Sequence, residues 1–153
     1  MIFNIKKTIT IQSGAMFDTI VAIGSGREND CETGICSMYH FPTNERMTYQ
    51  NKCLSKNVTF TDIVAFGNKN IYVGGRIFDK NHQSFSIVII RLNEKLDLIN
   101  VCEFETIIYS DALLELTNNG STLVVKEIHP RSSGYVDNRF IYVHLFTFDL
   151  KPI

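Results

Sequence analysis

The clearest pattern of apolar and polar positions lies near the middle of the chain, over residues 60–104. Short apolar or alternating runs are separated there by polar turns rich in Asn, Asp, Lys and Gly, which predicts antiparallel strands joined by tight turns. The predicted strands cover residues 62–66, 71–74, 85–92 and 96–104. A four-stranded meander of this kind is typical of one blade of a β-propeller.

Two flanking segments have a similar order of elements, which indicates a repeat. Residues 1–55 contain a first strand, an apolar strand ending near Gly24, a polar loop over residues 27–33, and two further strands. The period of roughly 45 to 50 residues matches blade-type repeats. We therefore predict one all-β domain of antiparallel meander sheets that resemble about three propeller blades without closing into a propeller. Its approximate repeats are 1–55, 56–105 and 106–153, with a short C-terminal tail at 149–153.

The segment 109–117 permits two interpretations. Ser110 could cap a helix, and Leu113, Leu114 and Leu116 are good helix formers. The repeat instead predicts a strand that opens the third unit. We favour the strand.

Composition and charge limit the functions and locations that the chain can have. The chain has 153 residues, 44% of them apolar and 20% charged, which is typical of a folded domain. Its net charge of −1 lacks the basic surplus of a dedicated nucleic-acid reader. The first residues do not follow the order of a secretory signal, and the central apolar run, residues 87–90, is too short to span a membrane. We expect a cytoplasmic protein without a membrane partner.

The four cysteines leave one question of metal binding open. Cys31 and Cys36 are spaced like half of a zinc site, but Cys53 and Cys102 stand alone in the sequence. In a reducing compartment free thiols are the expectation. We expect no metal, although the sequence does not decide the matter for Cys31 and Cys36.

No motif in the chain carries catalytic chemistry. The four histidines are dispersed, and glycine-rich segments precede loops between strands, where a phosphate-binding loop would open a helix. Asp18, Asp62 and Asp111 each precede an apolar stretch, and we interpret them as carboxylates that accept backbone N–H groups where strands begin. We expect no catalytic residue, no cofactor and no small-molecule substrate.

Basic residues offer the candidate contacts with a partner. Arg27 and Arg76 fall at nearly the same rim position in adjacent repeats, where two guanidinium groups would give a small positive rim suited to phosphate or carboxylate. The last third of the chain combines further cations with aromatic residues, an arrangement that can hold RNA backbone and stack bases. These residues are Lys126, Arg131, Tyr135, Arg139 and Lys151. The competing interpretation is a solvated loop beside a core-facing strand.

The strand pattern resembles one known family of propellers. Residues 20–24 (IVAIG), the acidic loop at 28–32 (ENDCE) and residues 34–41 (GICSMYHF) are similar to the repeat of the damaged-DNA-binding subunit and cleavage-polyadenylation large-subunit family. Those proteins are several times longer, and three blades do not close a ring. The resemblance implies a protein–protein adaptor with propeller-like sheets.

A second resemblance implies a more specific function. In its size, its Asn/Ile/Lys-rich composition, its blade-like strands and its short free tail at 149–153, the chain looks like the dormancy factors found on microsporidian ribosomes. This implies a non-catalytic hibernation factor that blocks the tRNA exit site and contacts rRNA and ribosomal proteins. We expect contacts at the basic and aromatic residues above, together with Pro152 and Ile153 of the tail. An adaptor is the alternative function, and a small-molecule enzyme on a β-sandwich is the third hypothesis.

Overall fold

A computed structural model describes residues 3–13, 16–28, 30–51, 56–66, 70–106, 113–130 and 139–153. In these ranges the chain forms eleven strands and no helix, which confirms the predicted all-β class. The strands are β1 Phe3–Ser13, β2 Met16–Glu28, β3 Cys31–His40, β4 Glu45–Asn51, β5 Lys56–Phe66, β6 Asn70–Asp79, β7 Ser84–Leu92, β8 Leu98–Glu105, β9 Leu113–Asn118, β10 Leu123–Pro130 and β11 Arg139–Phe146. Across the described residues, nothing helical is present that could cross a membrane.

The strands form three antiparallel meanders, as the repeat predicts. The first sheet has the order β1-β2-β3-β4, the central sheet β5-β6-β7-β8, and the third sheet β9-β10-β11; none of them closes into a barrel. Tight turns join neighbouring strands because single residues adopt the left-handed backbone that such turns require. Asp30, Asn44 and Gln83 have φ values of 61°, 56° and 52° in three of these turns.

Strands β6 and β7 of the central sheet are buried on both faces. One face packs against the first sheet in an apolar cluster that includes Phe60, Val88 and Ile90, and the other packs against the third sheet in a cluster that includes Tyr72 and Ile89. Strands covered on both faces lose the alternation of apolar and polar residues. This explains the continuous apolar run in β7, where residues 87–90 are all buried.

Close approach between the sheets depends on glycine at two positions. A Cβ atom on Gly34 of β3 would lie 2.9 Å from the Phe60 ring, and one on Gly74 of β6 would lie 2.5 Å from Leu114 of the third sheet. Each glycine therefore leaves the space into which a side chain of the neighbouring sheet packs.

Asp62 connects all three sheets. It lies on β5 at a bulge in the pairing with β6, and it is only 3% exposed. Its carboxylate accepts a bond from Lys7 Nζ of the first sheet. The same carboxylate accepts the backbone N–H of Leu116 in the third sheet at 2.6 Å and that of Ile63 at 2.9 Å. A buried carboxylate is tolerated where such partners surround it.

Several expected boundaries differ from the structure. Residues 27–33, expected as a polar loop, are largely paired strand, since Arg27 lies opposite Glu32 and Glu28 opposite Cys31. Asp62 lies within a strand and does not begin one, although it does accept backbone N–H groups as expected. In segment 109–117 the strand interpretation is confirmed from Leu113 onward, and the remainder, with Asp111, lies outside the described residues.

Candidate functional site

Arg27 and Arg76 lie toward the same end of the stack, but with acidic neighbours. The β2–β3 and β6–β7 turns meet there, because Lys80 Nζ donates to the backbone oxygen of Asp30 at 2.8 Å. Arg27 Nη2 lies 3.5 Å from the Asp30 carboxylate, and Arg76 lines a cavity of about 290 Å³ that Glu32 also lines. This rim therefore carries both signs of charge, whereas the sequence predicted a positive one.

The basic and aromatic residues of the last third do not form a single described patch. Lys126 lies on the outer face of the third sheet, where its Nζ is 3.7 Å from Glu115 Oε2. Arg139 begins β11, and its side chain, like the whole of Arg131 and Tyr135, lies outside what the structure describes. The predicted RNA contact at Arg131, Tyr135 and Arg139 thus stays a prediction.

The C-terminal tail folds back on the protein, whereas the sequence suggested a free tail. Asp149 pairs with Arg91 at 2.5 Å, and its backbone oxygen accepts from Asn100 at 2.5 Å. Leu150 is buried in the cluster between the central and third sheets. Lys151, Pro152 and Ile153 are exposed, although Pro152 forms a β-bridge with Phe146. Side chains at the end of the tail can therefore contact a partner from a fixed position.

The outer face of the third sheet exposes a row of apolar side chains, and strand β8 exposes Leu98, Ile99 and Val101 to a similar degree. Ile141, Val143 and Leu145 project from β11 on this face and are 56%, 55% and 41% exposed. In the pairing of β10 with β11, Val124 and Ile128 lie beside them, and both are half-buried. Contiguous exposed apolar side chains mark protein-binding surfaces more often than isolated ones do.

A cleft of about 630 Å³ opens between the first sheet and the β7–β8 turn. The rim holds a polar chain in which His40 Nδ1 lies 2.9 Å from Thr43 Oγ1, which in turn donates to Glu45 at 3.1 Å. Because the threonine proton goes to Glu45, His40 Nδ1–H is the donor to Thr43. His40 Nε2 then lies 3.9 Å from Asp18 Oδ2. The cleft can receive a hydrogen-bond donor; the described residues that line it include Lys95 but no Ser or Cys.

Sequence reasoning missed a polar cluster between the central and third sheets. Glu127 is 2% exposed; its Oε1 lies 2.6 Å from His144 Nε2 and its Oε2 accepts from Thr106 at 2.8 Å. The His144 ring also packs on Phe104 with a centroid distance of 4.7 Å. The available signal was a carboxylate at an inward position of β10, in alternation with buried Leu123 and Val125. The cluster is satisfied internally, so a role in holding the third sheet explains it.

The histidine and cysteine side chains that the structure describes do not converge on one site. His40, His82 and His144 each approach a different carboxylate, namely Asp18, Asp79 and Glu127. Bonds from His82 lower the pKa of the Asp79 carboxyl. Cys31 and Cys36 are five positions apart on β3, so their side chains project from opposite faces. Burial raises the pKa of the Cys36 thiol to about 12. Among described residues, no three His, Cys, Asp or Glu side chains gather as a metal site would require.

No protein-family model, curated protein or solved structure matches this chain.

Proposed function

We propose that this chain is a non-catalytic cytoplasmic protein that works by binding to a larger assembly. The observation that carries the proposal is the row of Ile141, Val143 and Leu145, exposed on the outer face of the third sheet. Because that sheet is the last layer of the stack, a partner can cover the row without rearranging the fold. Burying apolar side chains of this size supplies binding free energy in proportion to the area removed from water.

The assembly that we favour is the ribosome, with the chain acting as a dormancy factor that blocks the tRNA exit site sterically. The resemblance to microsporidian dormancy factors supports this choice. Two exposed cations, Arg27 and Lys151, could approach rRNA phosphates. The apolar face would rest on ribosomal protein, since the phosphate backbone offers it no apolar surface.

Co-sedimentation with ribosomes from resting and growing cells, at low and high salt, tests the proposal. We expect the wild-type protein to sediment with ribosomes from resting cells. Val143→Glu should remain in the supernatant, because binding would bury a second carboxylate beside Lys126, which already pairs with Glu115. Thr48→Glu, on an exposed position of β4, is the matched control and should sediment like wild type. A wild-type protein that stays soluble under every condition would rule out the ribosome.

The contribution of the cations is tested separately. Arg27→Glu and Lys151→Glu should each weaken sedimentation, and the wild-type signal should fall as salt is raised, because phosphate contacts release counterions. Unchanged binding of both variants would remove these residues from the contact surface without affecting the role of the apolar face.

A protein–protein adaptor is the second candidate, and the charge of the outer face favours it. Lys126 is the cation among the described side chains of that face, and it pairs with Glu115. The face therefore has little net positive charge with which to attract RNA. An adaptor would travel in ribosome-free extract as a complex larger than its own mass. That complex would persist after nuclease treatment and at high salt, and the Val143→Glu variant would not form it.

A further inference from the structure

In the described residues the third sheet has three strands, whereas each of the other two has four. In the first and central sheets the outermost position is filled by β4 and β8, whereas the described part of the third sheet ends at β11. The free edge of β11 lies where a fourth strand would pair. An edge strand presents unpaired backbone N–H and C=O groups, which can template pairing with another segment.

The tail already occupies the first part of this position. Pro152 forms an antiparallel bridge with Phe146, and the N–H of Ile153 donates to the backbone oxygen of Leu145 at 3.0 Å. Since Leu145 directs its carbonyl toward this edge, its N–H points the same way, and alternation gives Val143 and Ile141 the same orientation. Along the described chain, only the tail pairs with this edge.

We propose that an extended segment of a protein partner adds to β11 as the missing fourth strand, antiparallel and in line with the tail. The segment would pair with the backbone of Ile141 and Val143. Its outward side chains would be apolar at alternate positions, so that they continue the exposed row of Ile141, Val143 and Leu145. Recognition of this kind takes affinity from main-chain hydrogen bonds and specificity from alternate side chains.

A partner protein fits this edge better than a second copy does. Two β11 strands paired edge to edge would lengthen the exposed apolar row and leave it uncovered. A partner protein that donates a strand can also cover the exposed apolar row with the rest of its surface. The inference rests on the proposed function only in taking the ligand to be a protein, and it applies to the ribosome and to an adaptor complex alike.

Hydrogen exchange with a synthetic probe tests the site on the purified chain. The probe is a ten-residue peptide of alternating Thr and Val, and its control is the same peptide with N-methyl groups at alternate amides. We expect the probe to slow exchange at the Ile141 and Val143 amides by about tenfold or more, and the methylated control to have no effect. Val143→Pro, which removes an outward N–H, should abolish binding, whereas Val143→Thr should retain it in part.

A tethered version guards against weak affinity of the free peptide. Six alternating Thr and Val residues appended after Ile153 would reach the same edge at an effective concentration of about 1 mM. Protection of the Ile141 and Val143 amides in this variant, and not in one that carries a Gly/Ser extension, supports the site. The proposed site would be overturned if the Ile141 and Val143 amides exchange rapidly with both the free and the tethered strand. It would also be overturned if these amides already exchange slowly in the protein alone. A two-chain mass in solution with protected β11 amides would assign the edge to a second copy and overturn the partner.

The experiments distinguish a failure of strand addition at β11 from a failure of ribosome binding. The peptide experiment contains no ribosomes, so a negative result leaves co-sedimentation through the apolar face intact. Conversely, a protected edge in a chain that never sediments would keep strand addition and reject the ribosome.

Discussion

The two interfaces of the central sheet differ in chemistry. Toward the first sheet the contact is apolar, with Phe60, Ile90 and the thiol of Cys36 buried among aliphatic side chains. Toward the third sheet an apolar cluster is flanked by polar contacts, namely the Glu127 cluster and the bond from Tyr72 to the backbone oxygen of Phe148 at 2.7 Å. Polar contacts also cross the first interface, where Thr59 donates to Glu32 at 2.8 Å at an exposed edge. The two interfaces therefore differ in where their polar groups lie, since Glu127 at the second is only 2% exposed.

This difference bears on function because the second interface positions the surface that we propose for binding. Hydrophobic contacts are non-directional, whereas hydrogen bonds fix relative orientation. The third sheet carries the open edge of β11 and the exposed apolar row, so its placement matters for any partner. Variants at each interface can test whether stability and orientation are divided in this way.

The largest expected effect comes from emptying the apolar interface. Phe60 is fully buried, with its ring stacked on Tyr49 at a centroid distance of 6.4 Å. Phe60→Ala should lower the free energy of unfolding by about 3–5 kcal/mol, because it leaves a cavity that the neighbouring sheet cannot fill. Urea denaturation measures the loss. Phe104→Ala, at a half-buried ring of the second interface, should cost roughly half as much. Equal losses would remove the asymmetry between the interfaces.

The next effect concerns the residue that the two interfaces share. Asp62→Ala would leave the buried N–H of Leu116 without its acceptor and Lys7 without its partner. We expect a loss of about 2–3 kcal/mol in the free energy of unfolding, since an orphaned buried donor costs its full desolvation. Asp62→Asn keeps one acceptor oxygen and should lose less. If the alanine variant were as stable as wild type, the carboxylate would not connect the sheets.

Much of this architecture was predictable from the sequence because strand patterns are local. The apolar run of β7 and the polar turns around it reflect burial on both faces and tight reversal of the chain. The prediction of a loop over residues 27–33 was wrong because polar side chains at the end of a hairpin can be solvated although the backbone is paired. In that hairpin Asp30 takes the positive φ that the turn requires.

The candidate site was less predictable because it depends on which face each residue occupies. Lys126 and Glu127 are adjacent in sequence, yet Lys126 lies on the outer face and Glu127 in the interface. A cluster of cations and aromatics along the chain is therefore divided by the sheet. The free edge of β11 could not be foreseen either, since it depends on which strands pair.

A smaller difference in the free energy of unfolding is expected between variants on the inner and outer faces of the third sheet. Glu127→Gln keeps the size of the side chain but replaces an acceptor oxygen beside His144 or Thr106 with a donor, so we expect a loss of about 1–2 kcal/mol. Glu115→Gln, at the exposed pair with Lys126, should change stability by no more than about 0.5 kcal/mol. Chemical denaturation of both variants gives the comparison. Similar values for the two would mean that the buried cluster adds nothing to the second interface.

The smallest expected effect uses pH to probe the apolar interface. Burial raises the pKa of Cys36 from 9.0 to about 12, so the unfolded chain releases this proton first as pH rises. The contribution of the thiol to stability is fully present below about pH 9 and is lost progressively toward pH 12. Between pH 7 and pH 9.5 the loss should be about 1 kcal/mol in wild type.

Cys36→Ala supplies the matched control, because it removes the titrating thiol and leaves the other ionisable groups in place. Between pH 7 and pH 9.5 the unfolding free energy of this variant should fall by about 1 kcal/mol less than that of wild type, because the variant lacks the contribution of the thiol. Cys102, half-buried at the second interface, should react with a thiol reagent before Cys36 does. The variants Cys31→Ser and Cys53→Ser keep the other two thiols out of that measurement. Earlier modification of Cys36 would mean that the apolar interface opens before a reagent reaches the partly exposed Cys102.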